Sequence, residues 1–172
     1  MWKYRNKEVK SLEDVPEGAL GFIYKIENKT NGRYYYGRKE FKSIRNPEVS
    51  KAVYDRERAK DRTQVSRTKH KAKSKKAGKT VWRYKRRVEK ETNWKSYFGS
   101  NKVLKEDKKK GHKLVREIIQ YCFSKSELTY QEAKAIFCSG CFEDGENCYN
   151  EWVSAKVRKE FIQKTKRYDG RL

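Results

Sequence analysis

The sequence lacks any run of about 18 apolar residues, the length that a helix needs to cross a bilayer. Its first residues, Met1 to Arg5, are not followed by the apolar stretch of a signal peptide. Hydrophobic residues make up only 35% of the 172 residues. This amount of apolar material builds one core, so we expect a single domain, or one domain with an insertion, in a cytoplasmic protein that does not enter membranes.

Acidic residues are scarce: 23 Asp and Glu stand against 45 Lys and Arg, and the formal net charge is +22. Such an excess favours polyanions, because each neutralised phosphate releases condensed counterions. From Arg67 to Lys90 there are twelve basic residues and one acid, Glu89. Because this block is internal, it predicts an insertion that grips DNA rather than a solvated basic tail.

Cysteine and histidine are also few, at four and two residues. Cys138 and Cys141 form a CxxC pair that Cys148 follows, and zinc sites use such spacings. Strong zinc sites have two paired knuckles, however, and Cys122 and His112 would have to complete this one from distant segments. We therefore favour reduced thiols, with a structural zinc at Cys138, Cys141 and Cys148 as the first alternative and a disulfide as the second.

Two β-rich runs, Leu20 to Ile26 and Arg33 to Gly37, flank an Asn31-Gly32 pair. This pair is a strong hairpin signal, because both residues tolerate positive φ. Leu114 to Cys122 predicts a third, buried strand. The strands and the helical patterns between them indicate an α+β fold.

Helical patterns occupy much of the remaining chain. Asn46-Pro47 resembles an N-cap followed by proline at the first helical position. The predicted helices are Pro47 to Asp61, Val81 to Glu91, Ser126 to Phe137 and Ser154 to Lys166. We expect an N-terminal extension at 1–19, a core domain at 20–152 with a basic insertion at about 46–93, and a basic C-terminal helix or tail at 153–172.

Phe22-Ile23-Tyr24 and Tyr35-Tyr36-Gly37 resemble the two signature motifs of the GIY-YIG nuclease family, although Phe22 stands where glycine is usual. Arg45, Glu132 and the pair Tyr149-Asn150 follow in the order that the family shows. Within the family, the segment 94–100 and the basic insertion look like the phage Seg-type endonucleases and a group of small restriction endonucleases.

The resemblance implies a fold and an activity. The fold would be a small three-stranded antiparallel sheet flanked by helices, with a basic helical insertion. The activity would be metal-dependent hydrolysis of double-stranded DNA with Mg²⁺ or Mn²⁺, in a homing or restriction enzyme of a phage or mobile element. Target recognition would come from the insertion, the termini or a homodimer. The alternative is a non-catalytic basic protein that binds nucleic acid, associated with RNA or the ribosome.

The resemblance also implies catalytic roles. One tyrosine would accept a proton from the attacking water, with Tyr24 the first choice, while Tyr35 orients water or phosphate. A phenol has a pKa near 10, so this base needs help from a metal or a cation. Arg45, aided by Lys39, would stabilise the phosphate, since a guanidinium fork suits it; other arginines of the insertion could take this role.

Glu132 would hold the divalent ion, and Asn150 would bind phosphate or brace the site. Glu132 has a second interpretation, because it stands three residues after Thr129 with the spacing of a capping box. Ser124 offers the same spacing nearer to the preceding strand. A helix that begins at Ser124 places Glu132 in its interior, and we favour this arrangement.

Strand parity tests the resemblance independently. A hairpin loop of two or four residues puts Tyr24, Tyr35 and Lys39 on one face of the sheet. A loop of three or five residues would separate the tyrosines. Apart from the later motifs, both tyrosines could be ordinary packing aromatics of a sheet.

The remaining expectations concern contacts with nucleic acid. Ser100 and Lys102 follow the Tyr97-Phe98-Gly99 turn and could contact the phosphate backbone, or form an ordinary turn. The predicted nucleic-acid-binding residues are Arg38, Ser100, Lys102, Lys73, Lys75, Lys76, Arg83, Arg86 and Arg87.

Overall fold

A computed structural model describes residues 1–71 and 80–154. The chain divides into two compact units, one of Met1–Phe41 with Thr92–Leu172 and the other of Lys42–Glu91. None of the helices in the described ranges has the length and the apolar composition that a membrane crossing requires.

The elements of the first unit are β1 (Trp2–Tyr4), β2 (Lys7–Val9), β3 (Gly21–Asn28), β4 (Tyr34–Glu40), α2 (Lys102–Lys109), β10 (Leu114–Cys122) and α3 (Lys125–Cys138). The strands form a five-stranded mixed sheet in the order β2-β1-β10-β3-β4. The predicted three-stranded sheet is therefore too small, since two N-terminal strands extend it.

The N-terminal strands β1 and β2 form a short hairpin with an apolar residue at either end. β1 pairs parallel with β10 and antiparallel with β2, and Trp2 lies opposite Val9. Trp2 is 1% exposed, and its indole Nε1 donates to the carbonyl oxygen of Trp94 at 2.7 Å. Trp2 and Val9, from the segment that the sequence predicted to be an extension, are thus buried in the first unit's core.

The predicted hairpin is confirmed as the antiparallel pair β3–β4. Its loop has four residues, 29–32, because the amide of Asn28 donates to the carbonyl of Arg33. Gly32 has φ +76°, the conformation for which an Asn-Gly pair is suited. The predicted third strand is also confirmed: β10 pairs antiparallel with the other side of β3.

The two faces of the sheet carry separate apolar clusters. One contains Phe22, Tyr24 and Tyr35 with Trp2 and Trp94. The opposite face packs Ile23 and Tyr36 against α3 through Leu128 and Ile136. Because β4 is an edge strand, side chains from both faces can approach each other around its open edge.

Helices α2 and α3 of the first unit each begin at a polar cap. The side chain of Ser124 accepts from the amide of Glu127 at the start of α3, which confirms the predicted helix. Helix α2 was not predicted. Asn101 caps it by accepting from the amide of Leu104, and this N-cap residue is the sequence signal that could have located the helix.

Among its described residues, the second unit has one α-helix and five strands. These are β5 (Lys42–Arg45), β6 (Glu48–Val49), α1 (Lys51–Lys60), β7 (Val65–Lys71), β8 (Thr80–Arg86) and β9 (Val88–Glu91). One sheet pairs β5 with β9, and the other has the order β6-β8-β7.

The predicted helical insertion is therefore wrong for most of its length. The predicted helix from Val81 to Glu91 forms β8 and β9 instead. The helix predicted from Pro47 begins later, at Lys51, with Ser50 as its N-cap. The predicted helix at 154–166 lies, apart from Ser154, outside the described residues.

Candidate active site

The two signature tyrosines lie on one face of the sheet. Tyr35 is opposite Ile26 and Tyr24 is opposite Gly37, so the four-residue loop gives them equal parity. Their ring centroids are 6.1 Å apart. A β-carbon on Gly37 would lie 2.5 Å from the hydroxyl oxygen of Tyr24 and 3.0 Å from Cε1 of Tyr35. Because Gly37 has no side chain, the ring of Tyr24 can lie across β4 at this position.

A cleft of about 590 Å³ opens beside these rings in the first unit. Its lining combines phenols, a guanidinium and a carboxylate with residues of the segment 97–102 and the chain after α3. The lining residues are Tyr24, Tyr35, Arg38, Tyr97, Ser100, Asn101, Lys102, Glu132, Ile136, Tyr149, Asn150, Glu151, Trp152, Val153 and Ser154.

Arg38 and Glu132 form an ion pair in this cleft, with Nε of Arg38 3.3 Å from Oε2 of Glu132. Arg38 also donates to the hydroxyl of Thr129, one turn earlier on α3. Arg38 lies opposite Ile23, on the face of β4 that packs against the helix. The helix begins at Ser124, so Glu132 is an interior residue and does not cap it.

Burial controls the ionisation of these groups. Tyr24 is 1% exposed, and burial, followed by the neighbouring phenols of Tyr35 and Tyr97, raises its pKa well above 10.0. Burial also raises the pKa of Tyr35, although a hydrogen bond with Ser100 opposes the shift. For Glu132, burial raises the pKa against the opposing effect of Arg38. Both phenols thus hold their protons at neutral pH.

The segment 97–100 forms a wall of the cleft. Gly99 has φ +79°, and a β-carbon there would lie 3.1 Å from Cε1 of Tyr35. The hydroxyl oxygens of Tyr35 and Ser100 are 3.1 Å apart. Arg116 holds the preceding turn by donating to the carbonyls of Lys95 and Tyr97 at 3.0 and 2.9 Å. Ser100 is therefore positioned by backbone packing against a signature tyrosine.

Lys39 shares the sheet face of the two tyrosines but lies further along β4, opposite Phe22. Its Nζ donates to Oδ1 of Asn93 at 2.8 Å and lies 4.2 Å from the ring centroid of Tyr97. Burial lowers its pKa. Lys39 is therefore beside Tyr97 and does not line the cleft itself.

Asn150 braces the edge strand. Its Oδ1 accepts from the amide of Tyr36 and its Nδ2 donates to the carbonyl of Tyr36, both at 2.8 Å. This amide pair takes the place of a neighbouring strand at the middle of β4. Of the two roles that the sequence left open for Asn150, bracing is the one that these contacts fulfil.

A buried polar network adjoins the hairpin loop. The Tyr149 hydroxyl donates to Oδ2 of Asp107 at 2.7 Å and accepts from Nδ2 of Asn28 at 2.8 Å. The amide of Asn31 donates to the same carboxylate at 3.2 Å. The hydrogen bond from Tyr149, followed by charge interaction with His112, lowers the pKa of Asp107. The network ties the segment before Asn150 to the turn between the signature strands.

The other predicted site residues are divided between the two units. Arg45 is exposed on β5 of the second unit, opposite Val88. Arg38, which the sequence predicted as a nucleic-acid-binding residue, lies beside Glu132 in the cleft. Lys102 does line the cleft. Arg83, Arg86 and Arg87 lie in the second unit, and Lys73, Lys75 and Lys76 lie outside the described residues.

The cysteines differ from the expectation of four reduced thiols. Cys141 and Cys148 are joined as a disulfide, with Cα atoms 5.4 Å apart, and Cys122 and Cys138 are free. Across residues 1–71 and 80–154, no three or more His, Cys, Asp or Glu side chains gather in a group able to hold a metal. After burial, the charge of Glu132 contributes to the raised pKa of both Tyr24 and Tyr35.

The first unit is thus a mixed-sheet α/β domain with two tyrosines, an arginine and a helix-borne glutamate around one cleft. The family model described as "Putative endonuclease segE, GIY-YIG domain" matches the chain over residues 2–69 and 53–153. The chain belongs to this GIY-YIG family, and a nuclease domain takes nucleic acid as its substrate. No curated protein and no solved structure matches the chain.

Proposed function

We propose that this protein is a metal-dependent endonuclease that hydrolyses phosphodiester bonds of double-stranded DNA. The observation that carries the proposal is the convergence of Tyr24, Tyr35, Arg38 and Glu132 in one cleft. Hydrolysis of a phosphodiester needs an oriented water, neutralisation of the phosphate charge and a route for protons. The four side chains are suited to these tasks.

Glu132 fits a hard divalent ion such as Mg²⁺ or Mn²⁺. Its side chain is 19% exposed and lines the cleft, and Mg²⁺ prefers one or two carboxylates completed by water and phosphate oxygen. When bound, the ion would supply positive charge to the phosphate and make a nearby water more acidic. Before binding, the guanidinium of Arg38 neutralises the same carboxylate.

In this proposal Arg38 takes the phosphate-binding role that the family resemblance implied for Arg45. Its guanidinium keeps its charge and can bind two phosphate oxygens at once. The ion pair with Glu132 and the contact with Thr129 hold it at the edge of β4. A phosphate in the cleft would therefore meet a guanidinium that is already oriented.

The tyrosines orient the attacking water and the phosphate. In the reaction, a water oxygen forms a bond to phosphorus, one ester P–O bond breaks, the water loses a proton and the leaving oxygen gains one. The raised pKa of Tyr24 keeps the proton on its hydroxyl. Tyr24 can therefore accept the proton of the water only after positive charge in the cleft has stabilised its phenolate form. Tyr35, held by Ser100, orients the substrate.

The Seg-type resemblance supports a phage or mobile-element origin, and a homing or restriction role in the cytoplasm of the host. One cleft cleaves one strand in each event. We therefore propose that two copies act together where a double-strand break is made. The basic second unit supplies the affinity for DNA, as the net charge of +22 favours.

Cleavage of a supercoiled plasmid with Mg²⁺ or Mn²⁺ tests the proposal. Glu132→Gln should abolish cutting while leaving DNA affinity unchanged, because removal of an acid does not weaken polyanion binding. Glu146→Gln is the matched control, since Glu146 is exposed and does not line the cleft. If the wild type binds the plasmid but never cuts it with either ion, the protein is the non-catalytic nucleic-acid-binding alternative.

A further inference from the structure

Strands β7 and β8 of the second unit form a basic antiparallel ribbon, and the short strand β6 pairs with β8 at Tyr84 and Lys85. β7 and β8 pair from Val65↔Arg86 to Lys71↔Thr80 without a shift in register. The ribbon has six basic residues and no acidic one: Arg67, Lys69, Lys71, Arg83, Lys85 and Arg86. At about 3.3 Å per residue, each seven-residue strand is about 23 Å long.

Only one end of this ribbon packs against the helix of its unit. Tyr54 of α1 contacts Tyr84 with ring centroids 4.9 Å apart, and Tyr84 is half-buried. Towards the other end, Val81 is 49% exposed and Trp82 is 37% exposed. The exposed end therefore presents side chains of both faces to solvent.

Two cations lie over the exposed indole. Cζ of Arg67 is 4.6 Å and Nζ of Lys69 is 5.1 Å from the Trp82 ring centroid. The register places all three side chains on one face, because Lys69 is opposite Trp82 and Arg67 is two residues away. Contact with the aromatic ring already restricts the rotamers of the two cationic side chains, so they lose less freedom when they bind an anion.

The opposite face of the ribbon presents polar and charged side chains. Thr68 lies opposite Arg83, and Ser66 lies opposite Lys85. Arg83 also forms an ion pair of 3.0 Å with Glu48. Arginine, lysine, serine and threonine are the residue types that contact base edges and phosphates in DNA grooves.

We propose that the β7–β8 ribbon enters the major groove of double-stranded DNA and reads base edges there; this rests on the proposed function as a DNA nuclease. The major groove is about 12 Å wide and admits a two-stranded ribbon, whereas the minor groove is about 6 Å wide. The major groove of A-form RNA is too deep and narrow for such an element. The surface thus fits B-form DNA.

The test is binding of the full chain to a pool of double-stranded oligonucleotides in EDTA, so that no cleavage occurs. Methylation of guanine N7 changes the major groove, and it should weaken wild-type binding roughly fivefold or more. Netropsin, which occupies the minor groove, should not displace the protein. An A-form RNA duplex should compete weakly.

Lys69→Gln with Arg83→Gln should remove the sensitivity to N7 methylation. Arg58→Gln with Lys60→Gln is the matched control, because it removes the same charges from exposed positions of α1 in the same unit and should keep that sensitivity. Circular dichroism of both double variants confirms that they fold.

The ribbon proposal is overturned if N7 methylation leaves wild-type binding unchanged, if netropsin displaces the protein, or if A-form RNA competes as well as DNA. Its failure is distinguishable from failure of the proposed function. A protein that cuts plasmid but ignores N7 methylation retains the nuclease and loses the ribbon. A protein that responds to methylation but never cuts retains the ribbon and loses the nuclease.

Discussion

The hydroxyl oxygen of Tyr24 lies 2.5 Å from the position that a β-carbon of residue 37 would occupy, and residue 37 is glycine. The ring of one signature tyrosine thus passes over the glycine of the other signature motif. The two motifs are coupled by this close approach as well as by strand pairing. The geometry of the cleft depends on it.

Gly37→Ala should therefore displace the Tyr24 ring. The added methyl group would also meet Cε1 of Tyr35 at 3.0 Å, so both phenols should move. We expect a loss of about 1–3 kcal/mol in the free energy of unfolding, as for overpacking of a core. Plasmid cleavage should fall as well. Urea unfolding and the cleavage rate measure the two effects; a variant with wild-type stability and rate would contradict the close approach.

Arg38→Gln should slow plasmid cleavage by about 10²–10³-fold, the loss typical when one preorganised donor to a transition-state charge is removed. Arg38→Lys should restore only part of the rate, because an ammonium lacks the guanidinium fork. Arg45→Gln should slow cleavage less than Arg38→Gln, since Arg38 is the guanidinium paired with Glu132 in the cleft. The reverse order of effects would return the phosphate role to Arg45.

Trp2→Ala should lower the free energy of unfolding by about 3–5 kcal/mol, as for other buried aromatic residues. Trp2 is 1% exposed and donates a hydrogen bond to the backbone at Trp94. Lys3→Ala, at the exposed neighbouring position, should stay within about 0.5 kcal/mol. Equal stabilities of the two variants would mean that residues 1–19 are an extension after all.

The Asp107 network predicts a pH dependence of stability. Because the folded-state pKa of Asp107 is lowered from 3.8, the carboxylate stabilises the fold above pH 3.8 and loses this contribution as pH falls through the lowered value. Asp107→Asn should flatten the acid limb of the unfolding free energy, and the neighbouring Glu106→Gln should not. Urea unfolding between pH 2 and pH 7 measures this limb. The same limb in both variants would place its origin elsewhere.

Patterns within a few residues of the sequence predicted the signature hairpin, the strand β10 and the start of α3. The Asn31-Gly32 turn, the apolar run of β10 and the Ser124 cap each act within a few residues, and all three were correct. Trp2 and Val9 stand in a polar segment. β1 pairs with β10, more than a hundred residues along the chain, and β2 pairs with β1, so no local pattern reveals these strands.

The error at 81–91 has a related cause. Val81, Tyr84 and Val88 have helical spacing, but Tyr84 lies in β8 and pairs with Arg67 of β7. The spacing of apolar residues within one segment does not show that a partner strand is present. Arg38 was predicted as a nucleic-acid-binding residue but not as the partner of Glu132, for another reason. Strand parity puts it on the face opposite to Tyr24, and only the packing of α3 at the edge of β4 brings it to Glu132.

A double-mutant cycle on the single-turnover rate of plasmid cleavage tests the shared active site most directly. Tyr35→Phe and Glu132→Gln are made singly and together. If both side chains act on one phosphate in one cleft, the double variant should be about as slow as the slower single variant, because residues that act as a unit are not additive. Losses that multiply independently, or a Glu132→Gln variant at the wild-type rate, would contradict a common site.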